Sequence, residues 1–145
     1  MLKSHKIFRG NDMRGLIGAL LLVAIGGCST SPISADIADP VPSTRMYAFT
    51  EKNAAQLVVT RDSGIYGAEV RFILHIDGKP AAEFHPGEVA KFGLAPGKHI
   101  LGVSKYMLFG TSRIIESEID IKPGDLVRRR ISQHGSSFSF TPTAY

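Results

Sequence analysis

The sequence predicts an all-β fold, an antiparallel β-sandwich of seven or eight strands behind an N-terminal signal helix and a flexible linker. Three observations carry that prediction. After residue 45 the chain breaks into short runs of alternating apolar residues, separated at close intervals by glycine and proline turns. No stretch after Thr44 keeps the period of an amphipathic helix. Before it, an apolar run ends at the only cysteine of the 145 residues. A small closed barrel would satisfy the same strand count.

The N-terminal run is GLIGALLLVAIGGC, Gly15 to Cys28. Basic residues (Lys3, Lys6, Arg9, Arg14) precede an apolar stretch from Leu16 to Ile25, and two glycines close it, the order of regions in a secretory signal peptide. The stretch is too short to cross a bilayer core of ~30 Å as a helix. Met13-Arg14 would by itself open a compact signal of this form. Ile25-Gly26-Gly27-Cys28 resembles the lipobox of bacterial lipoproteins, in which the cysteine is lipidated and becomes the new N-terminus. The expected organisation is a signal peptide over 1–27, a lipidated Cys28 and flexible linker over 28–44, and a β-sandwich domain over 45–145. Ser29, with no aspartate there, resembles the outer-membrane sorting pattern of Gram-negative lipoproteins. The expected place is therefore the cell envelope, anchored in the outer membrane and facing the periplasm.

Cleavage before Cys28 would leave 118 residues, enough for one small domain. The leader holds four of the 17 basic residues and one of the 13 acidic ones, leaving 13 against 12 and a net charge of +1. Nucleic-acid binding thereby loses its electrostatic footing, and no nucleic-acid partner is expected. With its one thiol lipidated, the domain has none left for an internal disulfide. The segment Ser29 to Thr44, STSPISADIADPVPST, lacks aromatics and any apolar period, and reads as a tether able to hold the domain off the membrane.

The strands follow in order. Ala55 to Arg61 places Leu57 and Val59 on one face, and Val70 to Ile76 alternates Val70, Phe72, Leu74 and Ile76 against Arg71 and His75. Asp77-Gly78 is a hairpin signal, since glycine accepts the positive φ that the tight turn requires. Pro80 to Phe84 returns. His85-Pro86-Gly87-Glu88 turns into Val89 to Leu94, and Ala95-Pro96-Gly97-Lys98 turns into His99 to Lys105. Tyr106 to Thr111, YMLFGT, is read as an unusually apolar loop. Ser112 to Ile121 and Leu126 to Gln133 form the next pair, joined by Lys122-Pro123-Gly124-Asp125. A three-residue loop would set Asp120 opposite Arg128 and Glu118 opposite Arg130, whereas a two-residue turn would break that charge ladder. Ser137 to Thr141 brings Phe138 and Phe140 to close the core.

The segment Val70 to Leu101, with Ile76-Asp77-Gly78-Lys79, then Gly87, then Leu94-Ala95-Pro96-Gly97-Lys98-His99, resembles the PEGA-type domain and related bacterial lipoproteins of unknown function. Lys122-Pro123-Gly124-Asp125 resembles the K-P-G turn before that family's penultimate strand. The resemblance spans roughly residues 57 to 131 and implies a transthyretin-like or carbohydrate-binding-like sandwich at the cell envelope. Where the family tends to carry aromatics after the late turn, this chain has Leu126-Val127-Arg128-Arg129-Arg130.

Candidate chemistry is sparse. His75, His85, His99 and His134, with Glu83 and Glu88, match no compact zinc spacing, so no metal is expected. No serine sits in a Gly-x-Ser-x-Gly elbow and no glycine loop opens a helix, so no catalytic residues are assigned and an envelope enzyme is the least favoured class. Tyr66, Tyr106 and Phe109, aromatics among loop glycines, are candidates for partner or glycan binding, or for capping an open end of the sandwich. Arg128 and Arg130 are candidates for an anionic contact, or members of a solvated face paired with Glu118 and Asp120. The expectation is a non-enzymatic binding or assembly module with no cofactor beyond covalent diacylglycerol or acyl lipid on Cys28. Its partners would be the membrane and either envelope proteins or cell-wall glycan such as peptidoglycan.

Overall fold

The computed structural model describes residues 30–65, 67–107 and 110–144, and these fold as the predicted all-β sandwich. The strands are β1 (Asp39–Pro40), β2 (Ala55–Arg61), β3 (Phe72–Ile76), β4 (Lys79–Phe84), β5 (Glu88–Leu94), β6 (Gly97–Met107), β7 (Gly110–Thr111), β8 (Ile115–Ile121), β9 (Leu126–His134) and β10 (Ser137–Pro142). One sheet runs β1-β5-β2-β9-β10. In the other, β4 pairs with β3 and β3 with β6, whose two ends pair with β8 and β7. Every neighbouring pair is antiparallel except β1–β5 and β2–β9.

Alternation explains the core. Leu57 and Val59 of β2, Phe92 and Leu94 of β5, and Ile131 of β9 face Phe72, Leu74, Ile76, Phe84, Leu101, Val103 and Ile121 across the layer, and all are buried. Phe140 joins them, and Phe138 packs on Phe72 with ring centroids 5.0 Å apart. Among these apolar groups lies a charge that β2 parity sends inward. Arg61 is 2% exposed, donates to the carbonyls of Phe84 (2.8 Å) and Gly67 (2.9 Å), and sits 4.8 Å from the centre of the Phe72 ring. Burial pushes its pKa down to about 10, with Glu88 and Glu69 opposing the shift. It ties the end of β2 to the end of β4 across the sandwich.

Three expectations need correction. The pair Ser112–Ile121 and Leu126–Gln133 is not a hairpin: β8 lies on β6 in one sheet and β9 on β2 in the other, so Lys122-Pro123-Gly124-Asp125 is an arch between sheets. The ladder of Asp120 with Arg128 and Glu118 with Arg130 therefore does not form, and Glu118 accepts from Lys98 Nζ at 2.8 Å instead. The loop Tyr106–Thr111 is largely strand, with Tyr106 paired to Thr111 and Met107 to Gly110.

The third correction concerns the linker. From Thr30 onward the chain is bound to the fold. The amides of Asp39 and Val41 donate to the carbonyls of Gly87 and Val89, Val41 enters the core, and the Tyr47 amide donates to Ala81. The segment thus lies between the edge of β5 in one sheet and the edge of β4 in the other. Pro32, Pro40 and Pro42, which read as tether composition, suit an extended edge segment, where proline's fixed φ fits and its missing donor matters least. After a turn of 3₁₀ helix at Ser43–Arg45, the guanidinium of Arg45 reaches the Glu88 carboxylate of β5 (Nη1 to Oε2, 2.8 Å) and the Glu83 carbonyl of β4 (2.9 Å). Burial works to raise the Glu88 carboxyl, but the bonds from Arg45 and the His85 amide outweigh it and hold it low.

The segment then crosses β5 so closely that Gly93 is obligatory: its amide donates to Phe49, and a Cβ there would stand 2.0 Å from the Glu51 carbonyl. Gly93→Ala should force the two backbones apart and cost about 1–3 kcal/mol or more, read from urea unfolding.

The Asp77-Gly78 hairpin forms as predicted, with φ of 51° and 75°. Its partner is distant in sequence. Asp77 Oδ1 accepts from the Ile100 amide, and His99 places Nδ1 2.7 Å from Asp77 Oδ2 and Nε2 2.8 Å from the Ala95 carbonyl. Both neighbours of the ring are acceptors, so only the imidazolium satisfies both. The Ala95 carbonyl and the Asp77 carboxylate raise the His99 pKa against burial, while burial of Asp77 is outweighed by His99 and the Ile100 amide, which hold its carboxyl low. The His99 contribution is complete below its ordinary value of 6.5 and lost as pH rises through the folded pKa. The Asp77 contribution is complete above 3.8 and lost as pH falls through its lower folded value. Thermal stability should therefore fall as the pH is raised above neutrality, and His99→Asn should lack that decline.

Candidate functional site

The most elaborate polar surface lies on the outer face of the sheet containing β3, β4 and β6. Strand parity sends Arg71, Ile73 and His75 outward beside β4 residue Glu83, since Phe72, Leu74 and Ile76 point to the core. Glu83 is only 8% exposed; its Oε1 accepts from Arg71 Nη1 at 3.2 Å and lies 3.4 Å from His85 Nε2. The Arg71 guanidinium stacks 4.0 Å from the centre of the Tyr106 ring, contributing about 0.5–1 kcal/mol as an exposed cation–π contact. Tyr47, brought in by the edge segment, lies close to the same charges: burial and then the Glu83 charge raise its phenol pKa, and Arg45 and Arg71 work to lower it. Tyr106 and Tyr47 keep 41% and 51% exposure, so two exposed phenol rings lie near the ion pair, one from a strand and one from the edge segment. Such a surface can bind by ring stacking and directed hydrogen bonds.

Of the residues singled out from sequence, Tyr106 belongs to this face. Tyr66, Phe109 and Cys28 lie outside the described residues. Arg128 and Arg130 sit on the outer face of the other sheet and are not equivalent. Arg130 Nε donates to Ser132 at 3.0 Å and lies 3.3 Å from Asp62 Oδ1, near enough to pair though not aligned for a hydrogen bond. Arg128 is exposed, without an ion pair among the described residues. Arg129 faces inward, where burial lowers its pKa.

A second feature is a cleft of about 610 Å³ at one end of the sandwich, between the loop after β2 and the β9–β10 turn, lined by Ile65, Val70, Lys105, Gln133 and Ser136. Lys105 donates to the Ser136 carbonyl at 2.6 Å, 5.4 Å from the centre of the Phe138 ring, and burial lowers its pKa. Gln133 Oε1 is buried with no hydrogen-bond partner among the described residues.

The four histidines among the described residues are dispersed: His75 beside Ser104, His85 beside Glu83, His99 beside Asp77, and His134 exposed at the end of β9. Among the described residues no three of His, Cys, Asp and Glu are grouped to hold a metal ion. None of their helices is long and apolar enough to cross a membrane. Comparison with family models, curated proteins and solved structures finds no match to this chain.

Sequence reasoning missed Arg71, Glu83 and Tyr47 as a group. The outward parity of Arg71 was readable; its proximity to Tyr47 depends on the edge segment. Glu83→Gln should lower stability by about 1–2 kcal/mol by removing a charged acceptor, whereas exposed Tyr106→Ala should change it by less than about 1 kcal/mol. Thermal unfolding of both variants measures the contrast.

Proposed function

We propose that this protein is a lipid-anchored lipoprotein of the cell envelope whose β-sandwich serves as a non-enzymatic binding or assembly module. The observation that carries the reading is the Tyr47–Glu83–Arg71–Tyr106 face. It presents one exposed ring on a strand and one on the backbone-bonded edge segment, the kind of rigid aromatic pair that binding surfaces use for anchors at low entropic cost. The address rests on the lipobox-like Ile25-Gly26-Gly27-Cys28 after a short apolar run, and the +1 charge of the remainder supports an envelope partner over nucleic acid. The PEGA-like turn motifs support the same placement.

Cell-wall glycan is the second reading, favoured by the same rings, because an aromatic plane beside a carboxylate and a guanidinium suits the apolar face and hydroxyls of a sugar. Crosslinking in cells followed by mass spectrometry separates the two. The native chain should yield a lipid-modified Cys28 peptide and discrete protein crosslinks. Cys28→Ala should lose the lipid and the membrane association. Tyr47→Ala with Tyr106→Ala should keep the lipid and lose crosslinking by about tenfold. Retained crosslinks would overturn this face as the binding surface, and loss of co-sedimentation with peptidoglycan in the same variant would favour the glycan reading.

A further inference from the structure

We infer that the end of the sandwich bearing Thr30, Ile65 and Lys105 rests against the lipid surface into which the Cys28 anchor inserts, so that the domain stands on the membrane in a defined orientation. This rests on the lipidation of Cys28 proposed above.

The argument begins at Thr30, which is buried. Its Oγ1 lies 3.1 Å from Asp62 Oδ2 and 3.2 Å from the Gln133 carbonyl, and accepts from the Gln133 amide at 3.3 Å. Ser31 next exchanges both backbone hydrogen bonds with Ser63 at 2.9 Å. These contacts join the chain to the ends of β2 and β9, and Asp62 is itself buried beside Arg130. Only Ser29 separates this fixed point from Cys28. Two Cα steps of about 3.8 Å place the Cys28 Cα within about 8 Å of the Thr30 Cα, whatever the conformation between them. The polar layer on each side of a bilayer is itself several ångströms deep. An anchor so short leaves the Thr30 end of the domain at the headgroups.

The surface at that end suits the position. A Cβ on Gly64 would lie 3.5 Å from the Thr30 Cα, so the next residue, Ile65, is immediately beside the anchor point. Ile65 is 94% exposed, the most exposed large apolar side chain among the described residues. A large apolar residue bared to water contributes nothing to the fold, yet gains free energy on entering an interface. Beside it opens the cleft holding Lys105. β2 and β9 end here, β3 starts here and β6 runs past Lys105 to Tyr106, so the strands stand away from the membrane, with Tyr106 near the lipid surface and the rest of its sheet face turned sideways to the envelope space.

The test uses the full lipidated chain, whose single native thiol is blocked by lipid. Ile65→Cys, and Lys122→Cys at the opposite end beyond β8, each carry one environment-sensitive fluorophore. The proteins are reconstituted into phosphatidylethanolamine–phosphatidylglycerol vesicles bearing a headgroup nitroxide quencher. Both positions are exposed, so the fold tolerates the label. Emission at position 65 should fall about twofold or more on addition of the quencher lipid, and emission at position 122 should not change. Equal emission at both positions in a chain whose Cys28 lipid is verified by mass spectrometry overturns this inference and leaves the anchor reading standing. A chain from native membranes with unmodified Cys28 overturns the anchor reading and this inference with it.

Discussion

The constraint on which this structure turns is the closure of the sandwich between β4 and β5. Each strand is the edge of its own sheet and would present unpaired amides and carbonyls side by side. The segment that enters the fold at Thr30 occupies that seam from Asp39 to Ala48, bonding to Gly87 and Val89 on one side and to Ala81 on the other. Arg45 fastens it with one guanidinium that reaches both sheets, through the Glu88 carboxylate and the Glu83 carbonyl. A planar fork of donors is the group suited to that double contact, and it stays charged across the physiological pH range. Without this seam the core residues Phe84 and Phe92 would lie under an open edge.

The seam also determines the surface. By running down the β4 edge it carries Tyr47 to the side of Glu83 and Arg71, completing a face whose other ring, Tyr106, arrives from β6. By starting at Thr30 it fixes the end of the domain at which the described chain begins. A single segment therefore links the place where the described chain enters the fold to the composition of the face holding Tyr47 and Tyr106. That is a more economical design than a free tether followed by an independent domain.

Strand positions were legible because period-two alternation and turn chemistry are local. Ala55–Arg61 was read to the residue, and the Asp77-Gly78 hairpin followed from positive φ alone. The motif of Asp77 and His99 has a physical cause as well: the two residues are bonded, so a turn and a strand distant in sequence depend on one another. The failures occurred where partners are chosen. Lys122-Pro123-Gly124-Asp125 has the composition of a hairpin turn, and nothing in its residues distinguishes a return into the same sheet from an arch to the other. The edge segment was hidden because an irregular strand held by backbone bonds has no side-chain period.

The amino-acid sequence by itself determined where the strands run, which side chains alternate toward a core, and which turns demand glycine, since each depends on neighbours a few residues apart. Only the tertiary structure decided which sheet each strand joins, that Arg130 lies against Asp62, that Arg61 bonds to β4, and that Tyr47 is brought near Glu83 and Arg71. Those outcomes depend on backbone hydrogen bonds, which any residue but proline can make, and on the packing of two layers. The information for them is spread over the whole chain.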